Sequence, residues 1–92
     1  MGQVLREIAE ENLRQDEKWG EQNHDPHLWL AILMEEIGEF AKASLSDADG
    51  GDGNMREEAI QIAAVAVAMI ECFDRQAAIA AAEPVSEATE VK

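Results

Sequence analysis

The chain has little cysteine, proline and aromatic content. Its 92 residues include one cysteine, two prolines, two tryptophans, two phenylalanines and no tyrosine. The single thiol, Cys72, excludes an intrachain disulfide framework and a cysteine-rich zinc site, and its apolar surroundings in the sequence predict a core position. No apolar run reaches the ~20 residues that cross a bilayer. The abundant alanine, glutamate, leucine and isoleucine favour helices.

Positive charge is also scarce. Lysine and arginine total 7 against 20 aspartates and glutamates, which gives a formal net charge of -13. This balance argues against nucleic-acid and anionic-membrane binding, since both need a basic surface, and it is compatible with cation binding. The hydrophobic share of 47% excludes the composition of a disordered chain. The lone thiol and the absence of a basic-then-apolar leader at the start predict a cytoplasmic protein.

The order of apolar and turn-forming residues predicts three helices in one small all-α domain. Asp25 and Pro26 form a typical helix start, and Pro84 is a typical stop. The first helix should carry a thin apolar stripe, formed by Val4, Leu5, Ile8 and Leu13. The predicted boundaries are a domain over 1–82, helices over 2–18, 26–45 and 55–82, a glycine- and aspartate-rich loop over 46–54, and a flexible tail over 83–92.

The third predicted helix is apolar almost all round. A helix of this kind is buried on more than one face. Two partner helices from so short a chain can hardly cover it, and its many alanines allow close helix packing. We therefore expect a homo-oligomer, a dimer or tetramer, in which the hairpin of the second and third helices is completed as a four-helix bundle.

Several carboxylates fall on the apolar sides of these helices. Glu36 and Glu39 share a flank of the second helix with apolar residues, Glu35 lies just outside it, and Glu58 and Gln61 lie on an apolar strip of the third. For any one glutamate a solvated helix edge is the ordinary explanation. Unpaired burial of charge is costly, however, so the combination indicates liganding. Two such helices packed antiparallel would gather oxygen donors suited to Mg²⁺ or Mn²⁺.

The same residues resemble a known family. The string Glu35-Glu36-Ile37-Gly38-Glu39 resembles the EExxE signature of the MazG-like all-α nucleoside triphosphate pyrophosphatases. The run Glu58-Ala59-Ile60-Gln61 occupies the place of the family's second motif, ExxD. The segment from Lys18 to Pro26 is similar to the lead into the first motif helix of short phage and bacterial members. The resemblance covers roughly Arg14 to Phe73.

The resemblance implies a chemistry and roles for these residues. A nucleoside triphosphate, NTP or dNTP, would be hydrolysed with Mg²⁺ to its monophosphate and pyrophosphate, as in nucleotide-pool cleaning. Glu36, Glu39 and Glu58 would ligate the metal. Gln61 stands where the family has aspartate, so it is a weaker candidate ligand. Glu35 or Glu39 would accept the proton of the attacking water.

Residues near the motif helices are candidates for contacting the substrate. Trp19 either stacks on a base or caps the core, and Lys18 and Arg56 are among the few basic residues that could meet phosphates. His24 either contacts substrate or is a solvated residue at a helix start. Trp29 is expected to pack in the core.

Two other interpretations stay open at this point. Because Gln61 is neutral, the chain could be a weakened or non-catalytic MazG-like module that binds a nucleotide or a protein partner. It could also be an unrelated acidic oligomeric scaffold. The loop over 47–58 matches positions 1, 3 and 12 of a calcium-binding helix-loop-helix, but its pattern fails at positions 5, 6 and 9, so we do not favour this motif.

Overall fold

The computed structural model describes residues 1–48 and 54–82, which form three α-helices. These are α1 (Gly2–Trp19), α2 (Pro26–Ala48) and α3 (Met55–Ala82). No β-strand occurs in these ranges, so the predicted all-α class is confirmed. None of the described helices is both long and apolar enough to cross a bilayer. The predicted tail over 83–92 and loop residues 49–53 lie outside the described part of the chain.

Local sequence signals account for the helix ends. The Asp25 side chain accepts a hydrogen bond from the backbone N–H of Leu28 at 2.9 Å, as expected of a residue that caps a helix beginning at Pro26. Gly20 ends α1 with a φ of 76°, a conformation that glycine adopts without strain. The second helix continues to Ala48, beyond the predicted end at Leu45, because residues 46–48 include neither glycine nor proline.

The third helix is central, since both α1 and α2 pack against it. Between α2 and α3 lies a small core whose buried members are Trp29, Val65 and Cys72. Partly buried neighbours complete it, namely Ile32, Leu33, Ala68 and Met69. The core positions predicted for Cys72 and Trp29 are therefore confirmed.

The predicted apolar stripe of α1 is wrong. Val4, Leu5 and Leu13 are exposed, and α1 instead buries Glu11. The reason is geometrical: at ~100° per residue, Leu13 lies on the opposite side of the helix from Glu11. The four apolar residues are spread around the helix. Of these four only Ile8 is half-buried, on the same side of α1 as the half-buried Gln15.

Within residues 1–48 and 54–82, a second apolar face is left without cover. Large apolar residues of α2 at helical spacing are exposed, and we call them the open stripe: Leu30, Met34, Ile37 and Leu45. Ile70 and Phe73 of α3 are exposed as well. The radius of gyration is 17.7 Å, against ~12 Å for a compact domain of this length. The chain is therefore elongated, with apolar surface of its own left in contact with solvent.

Candidate functional site

A cavity of about 650 Å³ lies between the three helices, and we call it the interhelical cavity. Sites for small molecules have volumes of this order. Its wall combines basic side chains from α1 with acidic side chains from α2 and α3. The lining residues are Glu11, Arg14, Gln15, Lys18, Trp19, Gln22, Trp29, Ile32, Glu35, Glu36, Glu57, Gln61 and Val65.

Among the acidic residues that line the cavity, Glu36 is the one whose pKa is affected by several neighbouring charges. It is half-buried, and burial raises the pKa of its carboxyl above the ordinary value. The negative charges of Glu58 and Glu35 raise this pKa further, followed by those of Glu39 and Glu11. Carboxylates from all three helices thus act on the charge of Glu36. A bound cation would relieve that repulsion.

Sequence reasoning missed Glu11, the buried carboxylate on α1. Its exposed fraction is 6%, and it lines the interhelical cavity. One of its oxygens accepts hydrogen bonds from Arg14, and the other accepts one from the Gln15 side-chain amide at 3.1 Å. The same amide donates to Oε1 of Gln61 at 3.4 Å. No sequence signal distinguishes Glu11 from its acidic neighbours on α1, because its burial depends on how α1 docks.

The predicted metal and catalytic residues divide between the cavity and its surroundings. Glu35, Glu36 and Gln61 line the cavity. Glu58 is half-buried outside its lining and acts on Glu36 through its charge. Glu39 is exposed, and one of its oxygens lies 4.0 Å from the ammonium group of Lys42.

Of the four residues predicted to contact the substrate, two line the cavity and two lie outside its lining. Lys18 and Trp19 line the cavity, and the Lys18 ammonium group lies 4.9 Å from the centre of the Trp19 ring. Trp19 is 64% exposed, so it does not cap the core. His24 lies outside the cavity lining and contacts the core, with its ring edge-on to Trp29 at 4.9 Å between centroids. Arg56 lies outside the cavity lining and forms a two-bond pair with Glu7, at 2.7 and 2.9 Å.

The oxygen atoms of the candidate ligands suit a hard cation in their chemistry. They do not, however, surround a common point at which an ion could sit. The candidate ligands offer only carboxylate and amide oxygens, which Mg²⁺ and Mn²⁺ prefer over zinc. Within residues 1–48 and 54–82, no group of three or more His, Cys, Asp or Glu residues is placed to hold a metal ion. The carboxylates would therefore have to turn toward a shared ion. Glutamate side chains have the rotatable bonds to do so.

Comparison with known proteins identifies no relative of this chain. No family model, no curated protein and no solved structure matches it. Membership of the MazG-like family therefore stays a prediction that rests on the two motifs and the segment before them.

Proposed function

We propose that the chain is a Mg²⁺-dependent pyrophosphohydrolase that converts a nucleoside triphosphate to its monophosphate and pyrophosphate. The observation that carries this proposal is the interhelical cavity, where Glu36 with its raised pKa shares a wall with Arg14 and Lys18. A triphosphate needs both a cation and basic side chains in a chain of net charge -13. The resemblance to the MazG-like family supports the same reaction.

In this proposal each side chain has a defined task. Glu36 and Glu58 would hold the metal ion with the Gln61 carbonyl and with Glu39, which is exposed and would have to turn toward the ion. Mg²⁺ would supply positive charge to offset that of the phosphates. Arg14 and Lys18 bind phosphate oxygens from the α1 side. Trp19 offers an exposed ring on which a base can stack. Glu35, which is exposed at the cavity, accepts the proton of the attacking water.

A panel of the common NTPs and dNTPs tests the proposal. Purified protein with Mg²⁺ or Mn²⁺ should release pyrophosphate from at least one of them, and Glu36→Gln should abolish the release. Glu17→Gln is the matched control, because Glu17 is exposed on α1 and lies outside the cavity lining. If no nucleotide yields pyrophosphate, the enzyme proposal is withdrawn.

Gln61 supports a second candidate, a weakened or non-catalytic module of the same fold. Its amide is neutral, and its Oε1 already accepts a hydrogen bond from Gln15. Gln61→Asp separates the two candidates. A strong rise in pyrophosphate release would identify a weakened enzyme. Absence of release from both proteins, together with nucleotide-dependent thermal stabilisation, would identify the binding module.

We also propose that two copies associate through the open stripe of α2, giving a dimer with a four-helix core. Four large apolar side chains at helical spacing on one exposed face support this. The elongated shape supports it as well, because a second copy would cover apolar surface that the described helices leave exposed. The cytoplasmic location stays a prediction from the sequence.

A further inference from the structure

The connection between α1 and α2, residues 20–25, is held against the third helix by one side chain. The guanidinium group of Arg75 on α3 donates to the backbone carbonyl of Gln22 at 2.9 Å and to Oδ1 of Asn23 at 3.1 and 3.2 Å. Its Nε also lies 3.3 Å from a carboxylate oxygen of Glu21. Three successive residues outside the helices therefore contact one planar group. Arginine suits this arrangement because its donors form a rigid fork, whereas lysine offers a point charge.

Gln22 connects this contact to the interhelical cavity. Arg75 lies outside the lining of the cavity, whereas Gln22 is half-buried and lines it. Nε2 of His24 lies 3.1 Å from Oε1 of Gln22, and an amide oxygen can only accept, so this imidazole nitrogen donates. The amide nitrogen of Gln22 is therefore the atom that can donate to a ligand in the cavity. The hydrogen bond from Arg75 fixes the backbone from which this side chain extends.

A neighbouring core residue indicates which kind of ligand atom the cavity receives. The ring of His24 packs edge-on against Trp29, which also lines the cavity. The indole Nε1 of Trp29 is buried and has no hydrogen-bond partner in residues 1–48 and 54–82. Buried donors in folded proteins are nearly always paired, so this donor indicates an acceptor that a ligand brings. Gln22 offers a further donor to the same cavity.

We propose that Arg75 is a positioning residue, which holds the backbone of Gln22 so that the Gln22 amide donates to an acceptor oxygen of the ligand in the interhelical cavity. The proposal rests on the proposed function for the identity of that ligand as a nucleotide. Arg75 acts through Gln22 and does not line the cavity itself. It also lies beyond the part of the chain that the family resemblance covers.

Backbone dynamics of the full chain without ligand test whether Arg75 holds the connection. In ¹⁵N relaxation measurements, residues 21–24 of the natural protein should have order parameters near those of α3, about 0.85, and Arg75→Lys should lower them to below about 0.6. The helices should not change. Arg6→Lys is the matched control, because Arg6 is exposed on α1 and lies outside the cavity lining. Unchanged order at residues 21–24 in the Arg75→Lys protein, or an equal loss throughout the chain, overturns the proposal.

The KM for the nucleotide that yields most pyrophosphate tests whether Arg75 acts through Gln22. Arg75→Lys and Gln22→Ala should each raise KM by about 10-fold, as expected for the loss of one hydrogen bond to the ligand, and should leave kcat within about twofold. The double variant should be no worse than either single variant, because both changes remove the same contact. A purely structural role of Arg75 would instead give an effect that adds to that of Gln22→Ala. Additive effects, or a normal KM in either single variant, overturn the proposal.

Pyrophosphate release by the natural protein separates this proposal from the proposed function. If none is released, the enzyme proposal fails, and dissociation constants of the same nucleotides from isothermal titration calorimetry take the place of KM in the comparison of variants. If the natural protein binds none of these nucleotides, the role of Gln22 and Arg75 is overturned as well. If pyrophosphate is released with the same KM in all variants, the enzyme stands and the role of Arg75 fails.

Discussion

The two faces of α2 are alike in residue type and opposite in environment. One face presents Trp29 and Leu33 to α3, and Trp29 is fully enclosed there. The other carries the open stripe, in which Met34 and its apolar neighbours are exposed. Both faces have the spacing of an amphipathic helix. The difference teaches that helical spacing identifies an apolar face but not the surface that covers it.

The acidic residues of α2 show the same contrast over one helical turn. Glu36 is half-buried toward α3, and its pKa is raised by burial and by neighbouring carboxylates. Glu39, three residues later, is exposed beside Lys42. Two glutamates three residues apart on one helix therefore differ in burial, since Glu36 is half-buried and Glu39 is exposed.

The largest effect is expected from shortening a side chain on the face of α2 that packs against α3. Trp29→Ala removes the largest buried side chain and should lower the free energy of unfolding by about 3–5 kcal/mol. This is a large part of the stability of a small domain. Urea denaturation followed by circular dichroism measures the loss. Trp19→Ala is the control, and it should cost far less because Trp19 is exposed. Equal losses would contradict the assignment of the core to this face.

The next largest effect concerns the open stripe. Ile37→Glu places a charge in the proposed dimer interface, where an unpaired buried charge costs several kcal/mol and should weaken association more than about 100-fold. Sedimentation velocity should show monomers with unchanged helix content. Leu13→Glu makes the same change at an exposed position of α1 and should leave association intact. A variant Ile37→Glu that still forms the natural oligomer would rule out the open stripe as its interface.

A smaller effect is expected from the charge of Glu36. Its pKa is raised in the folded state, so the ionised carboxylate opposes folding at neutral pH, and this cost disappears on acidification. Glu36→Gln should therefore raise the melting temperature at pH 7 by a few degrees. The gain should shrink as the pH falls through the Glu36 pKa and vanish below ~4.3, the ordinary value for glutamate. Glu39→Gln, at an exposed position, should show no comparable gain.

The smallest effect is expected from the ion pair between Glu7 of α1 and Arg56 of α3. Arg56 lowers the pKa of Glu7, so this pair stabilises the fold above the ordinary glutamate pKa and loses its contribution as the pH falls through the lowered value. Glu7→Gln should lower the melting temperature slightly at pH 7, and the difference should fade with acid and with salt. Glu10→Gln serves as the control. A salt-independent loss in the Glu7→Gln protein would argue against an ion pair as the cause.

Much of the fold could be predicted because its signals are local. Asp25 and Pro26 specify a helix start, and Gly20 permits the backbone that ends the first helix, so the boundaries required no knowledge of tertiary contacts. The core position of Cys72 followed from its apolar neighbours along the helix. The helix α2 ends later than the sequence predicts, because residues 46–48 at the start of the predicted loop include no glycine or proline to break it.

The candidate site could be predicted only in part. Glu36 on the apolar flank was found from helical geometry, whereas Glu11 could not be found because the pattern of α1 suggested a different buried side. The sequence offers Arg56 as a residue that could meet phosphates but does not indicate its pairing with Glu7, which is 49 residues away in the chain. Such pairings depend on which helix faces meet.

The sequence by itself determined three helices, most of their ends, an acidic composition and the apolar positions along α2, because these follow from backbone preferences and from residue spacing along one helix. Only the tertiary structure decided which of those positions α3 covers, that α1 buries a carboxylate, and that the charge of Glu58 on α3 acts on Glu36 of α2. Burial and charge coupling depend on distances between helices, and no spacing within one helix encodes those distances.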